Sequence, residues 1–88
     1  GTVINSVLGS GVKVGHGAYI KDSVLMGDTE IGAGATVNYS IIDTNVTIGA
    51  GAVVGAAREK AKGISVLGED VKIPEGKHVE DGAIISEF

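Results

Sequence analysis

Aliphatic side chains recur along this chain at intervals of five or six residues. The series runs Val3, Leu8, Val14, Ile20, Leu25, Ile31, Val37, Ile42, Ile48 and Val54, with gaps of five, six and six repeated three times. Two residues before each of these, from Leu8 on, stands a mostly small side chain: Ser6, Val12, Ala18, then Ser23, Thr29, Ala35, then Ser40, Val46, Ala52. In an extended strand, residues two apart point the same way, so both series face one side. The pattern predicts three short strands in every seventeen residues, all turned inward on a shared aliphatic core. Coils over 6–22, 23–39 and 40–56 follow. Stacked, they make an all-β fold, a parallel β-helix of the hexapeptide-repeat type with a triangular coil.

Turn chemistry agrees with the pattern. Gly15, Gly32 and Gly49 recur at one corner, as do Gly17, Gly34 and Gly51. A second corner brings Gly11, Asp28 and Asn45 into register, and these residue types best tolerate a positive φ. After Ala56 the register breaks for eight residues, AREKAKGI (57–64), and a fourth coil is expected over 65–81. There Pro74 takes the glycine corner and Asp70 the positive-φ corner, while Leu67, Ile73, Val79 and Ile84 continue the inward series. Lys77 departs from the pattern, a charge in a small inward position, and is expected to snorkel from a frayed last coil. Four full coils plus part of one at each end should stand roughly 20 to 25 Å tall at a strand spacing of about 4.8 Å.

The outward positions form three columns. One carries Lys13, Glu30, Thr47 and Lys72, and another Tyr19, Thr36, Val53 and His78. The third carries Val7, Val24, Ile41 and Val66. A continuous outward stripe of β-branched side chains is unusual on a water-facing surface and predicts a contact, with a neighbouring subunit or another domain. The competing expectation is that residues 57–64 fold back over it.

Composition adjusts this picture modestly. Fifteen glycines, one proline, two tyrosines and one phenylalanine in 88 residues fit an aliphatic core with frequent turns. The absence of cysteine excludes a disulfide framework and any cysteine zinc site, and fits a reducing compartment. No apolar run is long enough for a membrane helix. A net charge of −4 speaks against nucleic acid as a partner. A cytoplasmic location is expected. The chain opens on GTVIN, which aligns with the last five residues of a coil, so a piece of a longer protein is expected. At the other end GAII starts one more turn, and Phe88 could fold over it as a lid.

Candidate chemistry is thin. GAGAVVG (49–55) has one residue too many for a dinucleotide-binding fingerprint, and its glycines recur with the coil instead of opening a helix. His16 sits at a corner between two turn glycines, where Ala33, Ala50 and Glu75 stand in other coils. It reads as an exposed corner residue more readily than as a general base. His78 is an outward residue beside Lys77. No catalytic residue, metal ligand set or cofactor site is expected. The insertion is more informative, because Arg58, Lys60 and Lys62 are three of the seven basic residues. They read either as a solvated, partly helical excursion or as a loop that contacts an anion such as phosphate or sulfate.

The block SVLGSGVKVGHGAYIKDSVLMGDTEIGAGATVNYSIIDTNVTIGAG, followed by an AARE excursion and then GISVLGEDVKIPEG, resembles the C-terminal β-helix of glucose-1-phosphate adenylyltransferase (ADP-glucose pyrophosphorylase). That resemblance covers nearly the whole chain and implies a left-handed β-helix, 1–88 being a single domain that lacks an N-terminal nucleotidyltransferase domain. It implies that the parent makes ADP-glucose and pyrophosphate from ATP and glucose 1-phosphate, for glycogen or starch synthesis. The implied role of the β-helix is tetramer assembly and part of an effector site. Its implied partners are its own N-terminal catalytic domain and neighbouring subunits in a homo-oligomer. Family members often carry a basic residue where this chain has Thr44, and others a lysine where it has Ala61, flanked here by Lys60 and Lys62. Two other readings stay open: a fragment of a hexapeptide acyltransferase, and the tail of another sugar-nucleotide transferase or of an inactive regulatory homologue.

Overall fold

A computed structural model describes residues 1–87. The lid expected of Phe88 lies outside the described residues. Fourteen short strands follow one another in the described chain: β1 (Thr2–Ile4), β2 (Val7–Leu8), β3 (Lys13–Val14), β4 (Tyr19–Lys21), β5 (Val24–Leu25), β6 (Glu30–Ile31), β7 (Thr36–Asn38), β8 (Ser40–Ile42), β9 (Thr47–Ile48), β10 (Val53–Val54), β11 (Ser65–Leu67), β12 (Lys72–Ile73), β13 (His78–Val79) and β14 (Ile84–Ile85). They fall into three parallel sheets, each taking every third strand. The first sheet is β1-β4-β7-β10-β13, the second β2-β5-β8-β11-β14 and the third β3-β6-β9-β12. The fold is therefore all-β, a parallel β-helix of about five turns.

Register follows the sequence period. Ile31 pairs Ile48 and Val37 pairs Val54, seventeen residues apart, and Ile41 pairs Val66 across the insertion. Backbone N–H groups of Val7, Gly9, Lys13 and Gly15 donate to carbonyls one coil on, at Ser23, Leu25, Thr29 and Ile31, over 2.7 to 3.0 Å. The inward aliphatic residues from Ile20 to Val79 are buried, with Ala18, Ala35, Ala52, Val46 and Val71 beside them. Each of these smaller residues directly follows a positive-φ corner residue, where the chain passes from one sheet to the next and the interior is narrow. Val3 and Leu8 keep the inward register but remain exposed, since no coil covers β1 and β2 on that side.

One inward assignment is wrong. Ile84 pairs Val66 on the outer surface and is 79% exposed, while Ile85 pairs Leu67 and packs against the core. The last gap in the inward series is six residues, not five, so the coil starting at Ser65 needs one residue more than its predecessors. GAII offers two isoleucines side by side, and the expected spacing picked the wrong one.

The corners carry the expected conformations. Gly11, Asp28, Asn45 and Asp70 have φ of 77°, 62°, 59° and 65°. A third corner, not foreseen, holds Asn5, Asp22 and Tyr39 at φ of 47°, 53° and 48°. Asn and Asp tolerate this region; Tyr39 is held there by its N–H bond to the Lys21 carbonyl at 3.0 Å. Side-chain amides link coils at two corners, Asn5 Nδ2 donating to Asp22 Oδ1 at 2.7 Å and Asn45 Nδ2 to Asp70 Oδ1 at 2.8 Å.

The small inward residues do more than fill space. Ser6, Ser23, Ser40 and Ser65 stand in one column. Ser23 Oγ donates to the Lys21 carbonyl and accepts the Ser40 N–H, and Ser6 Oγ does the same with Ile4 and Ser23. A hydroxyl can donate and accept at once, so Ser6 and Ser23 each give the next serine's N–H an acceptor while adding a second donor to a corner carbonyl that already takes a backbone N–H.

Candidate functional site

The second sheet presents its outer face as an apolar stripe. Parallel pairing sets Val7 beside Val24, Val24 beside Ile41, Ile41 beside Val66 and Val66 beside Ile84. The four residues singled out from sequence are thus brought together, and Ile84 extends them by one. Val7 is 64% exposed and Val24 38%, whereas Ile41 and Val66 are half-buried. Met26, next but one to Val24 and 40% exposed, widens the stripe at its edge. Only its alternation with Leu25 in the sequence marks Met26 as an outward residue.

The insertion leaves β10 at Gly55, whose φ is +77° and where any side chain would strike the Asn38 carbonyl. Its N–H groups of Lys60 and Ala61 both donate to the Ala57 carbonyl, at 2.8 and 2.9 Å, which makes one helical turn and no helix. The Lys62 N–H then donates to Asp81 Oδ2 at 2.6 Å, tying the loop to the last coil. That bond, helped by the carboxylate's own backbone and by the charges of Lys62 and His78, holds the Asp81 carboxyl below the usual aspartate range against the opposing effect of burial. The loop runs from the first sheet to the second along their shared corner and leaves Val7, Val24 and Ile84 exposed. Arg58, Lys60 and Lys62 all face solvent within five residues.

His16 and His78 are exposed, and no carboxylate bonds either ring in a described hydrogen bond. Among the described residues there is no pocket and no cluster of three metal-ligating side chains. No helix among them is long and apolar enough to cross a membrane. The features available are surfaces: a stripe and a basic loop.

Residues 2–87 match the family described as GMPPB C-terminal domain, a C-terminal domain of nucleotidyltransferase-family proteins. Among curated proteins none matches the chain significantly. Among solved structures the chain is similar to the acetyltransferase domain of PglB from Neisseria gonorrhoeae FA1090, at 18% identity and a TM-score of 0.39. That alignment covers 99% of this chain and 50% of the solved one, so the chain spans about half the length of that structure.

Proposed function

Because the chain belongs to the GMPPB C-terminal domain family, we propose that it serves as the assembly and regulatory end of a nucleotidyltransferase-like protein and carries no chemistry of its own. The observation that supports this reading best is the outer stripe of the second sheet. An exposed valine or isoleucine gains about 1.5 to 3 kcal/mol when fully buried, and a row of such residues at strand spacing offers that gain to a flat apolar partner. Neighbouring subunits or the protein's own catalytic domain are the partners of choice, and a homo-oligomer in the cytoplasm is the expected state. The basic loop of Arg58, Lys60 and Lys62 serves as a contact for an anionic effector, its cations held on a short tether.

The sugar nucleotide is a finer matter. The SIIDTNVTIG block, the interrupted coil and the GI that follows favour ADP-glucose synthesis from ATP and glucose 1-phosphate, in glycogen synthesis. Assaying the whole protein that carries this chain with each nucleoside triphosphate and sugar 1-phosphate tests this. ADP-glucose supports the reading, a different sugar nucleotide moves the chain to a related transferase, and silence on all pairs leaves an inactive regulatory homologue.

Assembly is tested by sedimentation of the chain beside Val24→Lys/Ile84→Lys, two exposed changes that spare the core. A shift from oligomer to monomer is the expected result. A wild-type chain that stays monomeric at every concentration removes the stripe from the account.

A further inference from the structure

Gly15, Gly32 and Gly49 open the same corner in successive coils, between the third sheet and the first. Stacking asks two things of each. Its N–H donates to the following coil, to the carbonyls of Ile31, Ile48 and Ile73 at 2.8, 2.7 and 2.8 Å. Its missing side chain leaves room for that coil's backbone: a Cβ would lie 2.7, 2.5 and 2.5 Å from the amide nitrogens of Ala33, Ala50 and Glu75. Backbone cannot yield there without breaking the ladder.

Pro74 holds the fourth place in this column. It preserves the turn, because Lys77 N–H donates to the Pro74 carbonyl at 3.2 Å, just as Ala18, Ala35 and Ala52 donate to their glycines. It abolishes both stacking roles, having no N–H to donate and a ring where the next backbone must pass. Three residues on, Lys77 replaces the fully buried Ala18, Ala35 and Ala52 of the inward column. Another coil above it would have to desolvate its ammonium group. The stack does continue elsewhere, since β14 pairs with β11 on the second sheet. The obstruction therefore belongs to this corner.

We infer that Pro74 and Lys77 form a built-in stop, over which no further coil can stack, whether from this chain or from another molecule. Unpaired strand edges invite pairing with neighbouring chains. The stop withdraws the third-to-first-sheet corner of the last coil from such pairing and leaves the lateral stripe for contacts. It stands independently of the proposed function.

A second copy of residues 26–42, inserted between Ile85 and Ser86, carries the chain once more round the stack in register, because Leu25, Ile42, Leu67 and Ile85 share one column. Hydrogen exchange then reads whether the added coil folds. With Pro74 and Lys77 present, its amides should exchange as in an unfolded chain. With Pro74→Gly/Lys77→Ala they should be protected by roughly tenfold or more. Pro74→Ala/Lys77→Ala restores the N–H but keeps a Cβ, and should stay unprotected. Protection in the native background, or none in the Gly/Ala background, overturns the inference. A converse variant guards against a corner that merely loosens: Gly32→Pro moves the stop into the middle of the stack and should split unfolding into two transitions. A single transition at unchanged Tm would equally refute it.

Discussion

Ser23 Oγ accepts the backbone N–H of Ser40, a full coil away, at 3.2 Å, and both residues are buried. The hydroxyl is the only acceptor described for that amide. Ser23→Ala should leave the Ser40 N–H unpaired in the core and cost about 1 to 3 kcal/mol, read by urea unfolding. Ser6→Ala, at the exposed end of the same ladder, should cost less. Equal losses at the two sites would show that burial is not what makes the ladder matter.

The aliphatic column makes a separate demand. Ile48 is 1% exposed and flanked by Ile31 and Ile73 on β6 and β12. Ile48→Ala should cost about 2 to 5 kcal/mol through lost transfer energy and the cavity left behind. In a stack where each coil touches only its neighbours, that loss should also weaken cooperativity between the two halves. A cost under about 1 kcal/mol would mean that the site collapses freely, contrary to tight packing.

Loop anchoring depends on pH. The Asp81 carboxyl titrates below its unfolded value because it accepts the Lys62 N–H. A depressed folded pKa means that the anchor is fully present above the usual aspartate range and is lost as pH falls through the lowered value. The Lys62 amide proton resonance should therefore stay constant at neutral pH and shift in acid, with a midpoint below that of a free aspartate. At neutral pH, Asp81→Ala, which removes the acceptor, should speed tryptic cleavage after Arg58, Lys60 and Lys62. Unchanged cleavage would mean that the tether does not restrain the loop.

An anion contact at the loop predicts that inorganic phosphate perturbs the amide resonances of residues 58–62 in a salt-sensitive way. Arg58→Ala/Lys60→Ala/Lys62→Ala should abolish the perturbation without changing the melting temperature. Shifts spread evenly over the chain, or surviving in the triple variant, would assign the effect to general screening.

The repeat was legible because a period of seventeen puts the same residue type at the same angle in every coil. Inward residues, two of the three corners and all three outward columns could be read that way. The end of the chain could not, because Ile84 and Ile85 are chemically interchangeable and only pairing with Val66 and Leu67 decides between them. The third corner was missed since Tyr39 is a poor candidate for positive φ; its conformation is imposed by hydrogen bonding to the neighbouring coil. The serine ladder hid behind its size, small side chains fitting beside a corner whatever their polarity. The Asp81 anchor joins residues nineteen apart across a break in the period, where no column exists to reveal it.

The insertion also bears on how fast the chain reaches this structure. Strands in this fold pair with partners seventeen or more residues away, and across the insertion the interval from Ile41 to Val66 grows to twenty-five. Seventeen residues in a chain of 88 correspond to a relative contact order of about 0.2, in the range of all-β domains that fold in milliseconds to seconds. Closing the longer interval adds only about 0.3 kcal/mol of chain entropy, because that cost grows with the logarithm of length. The loop between β10 and β11 thus delays the zipping of one coil onto the next by less than a factor of two, and a segment there can lengthen at little kinetic expense.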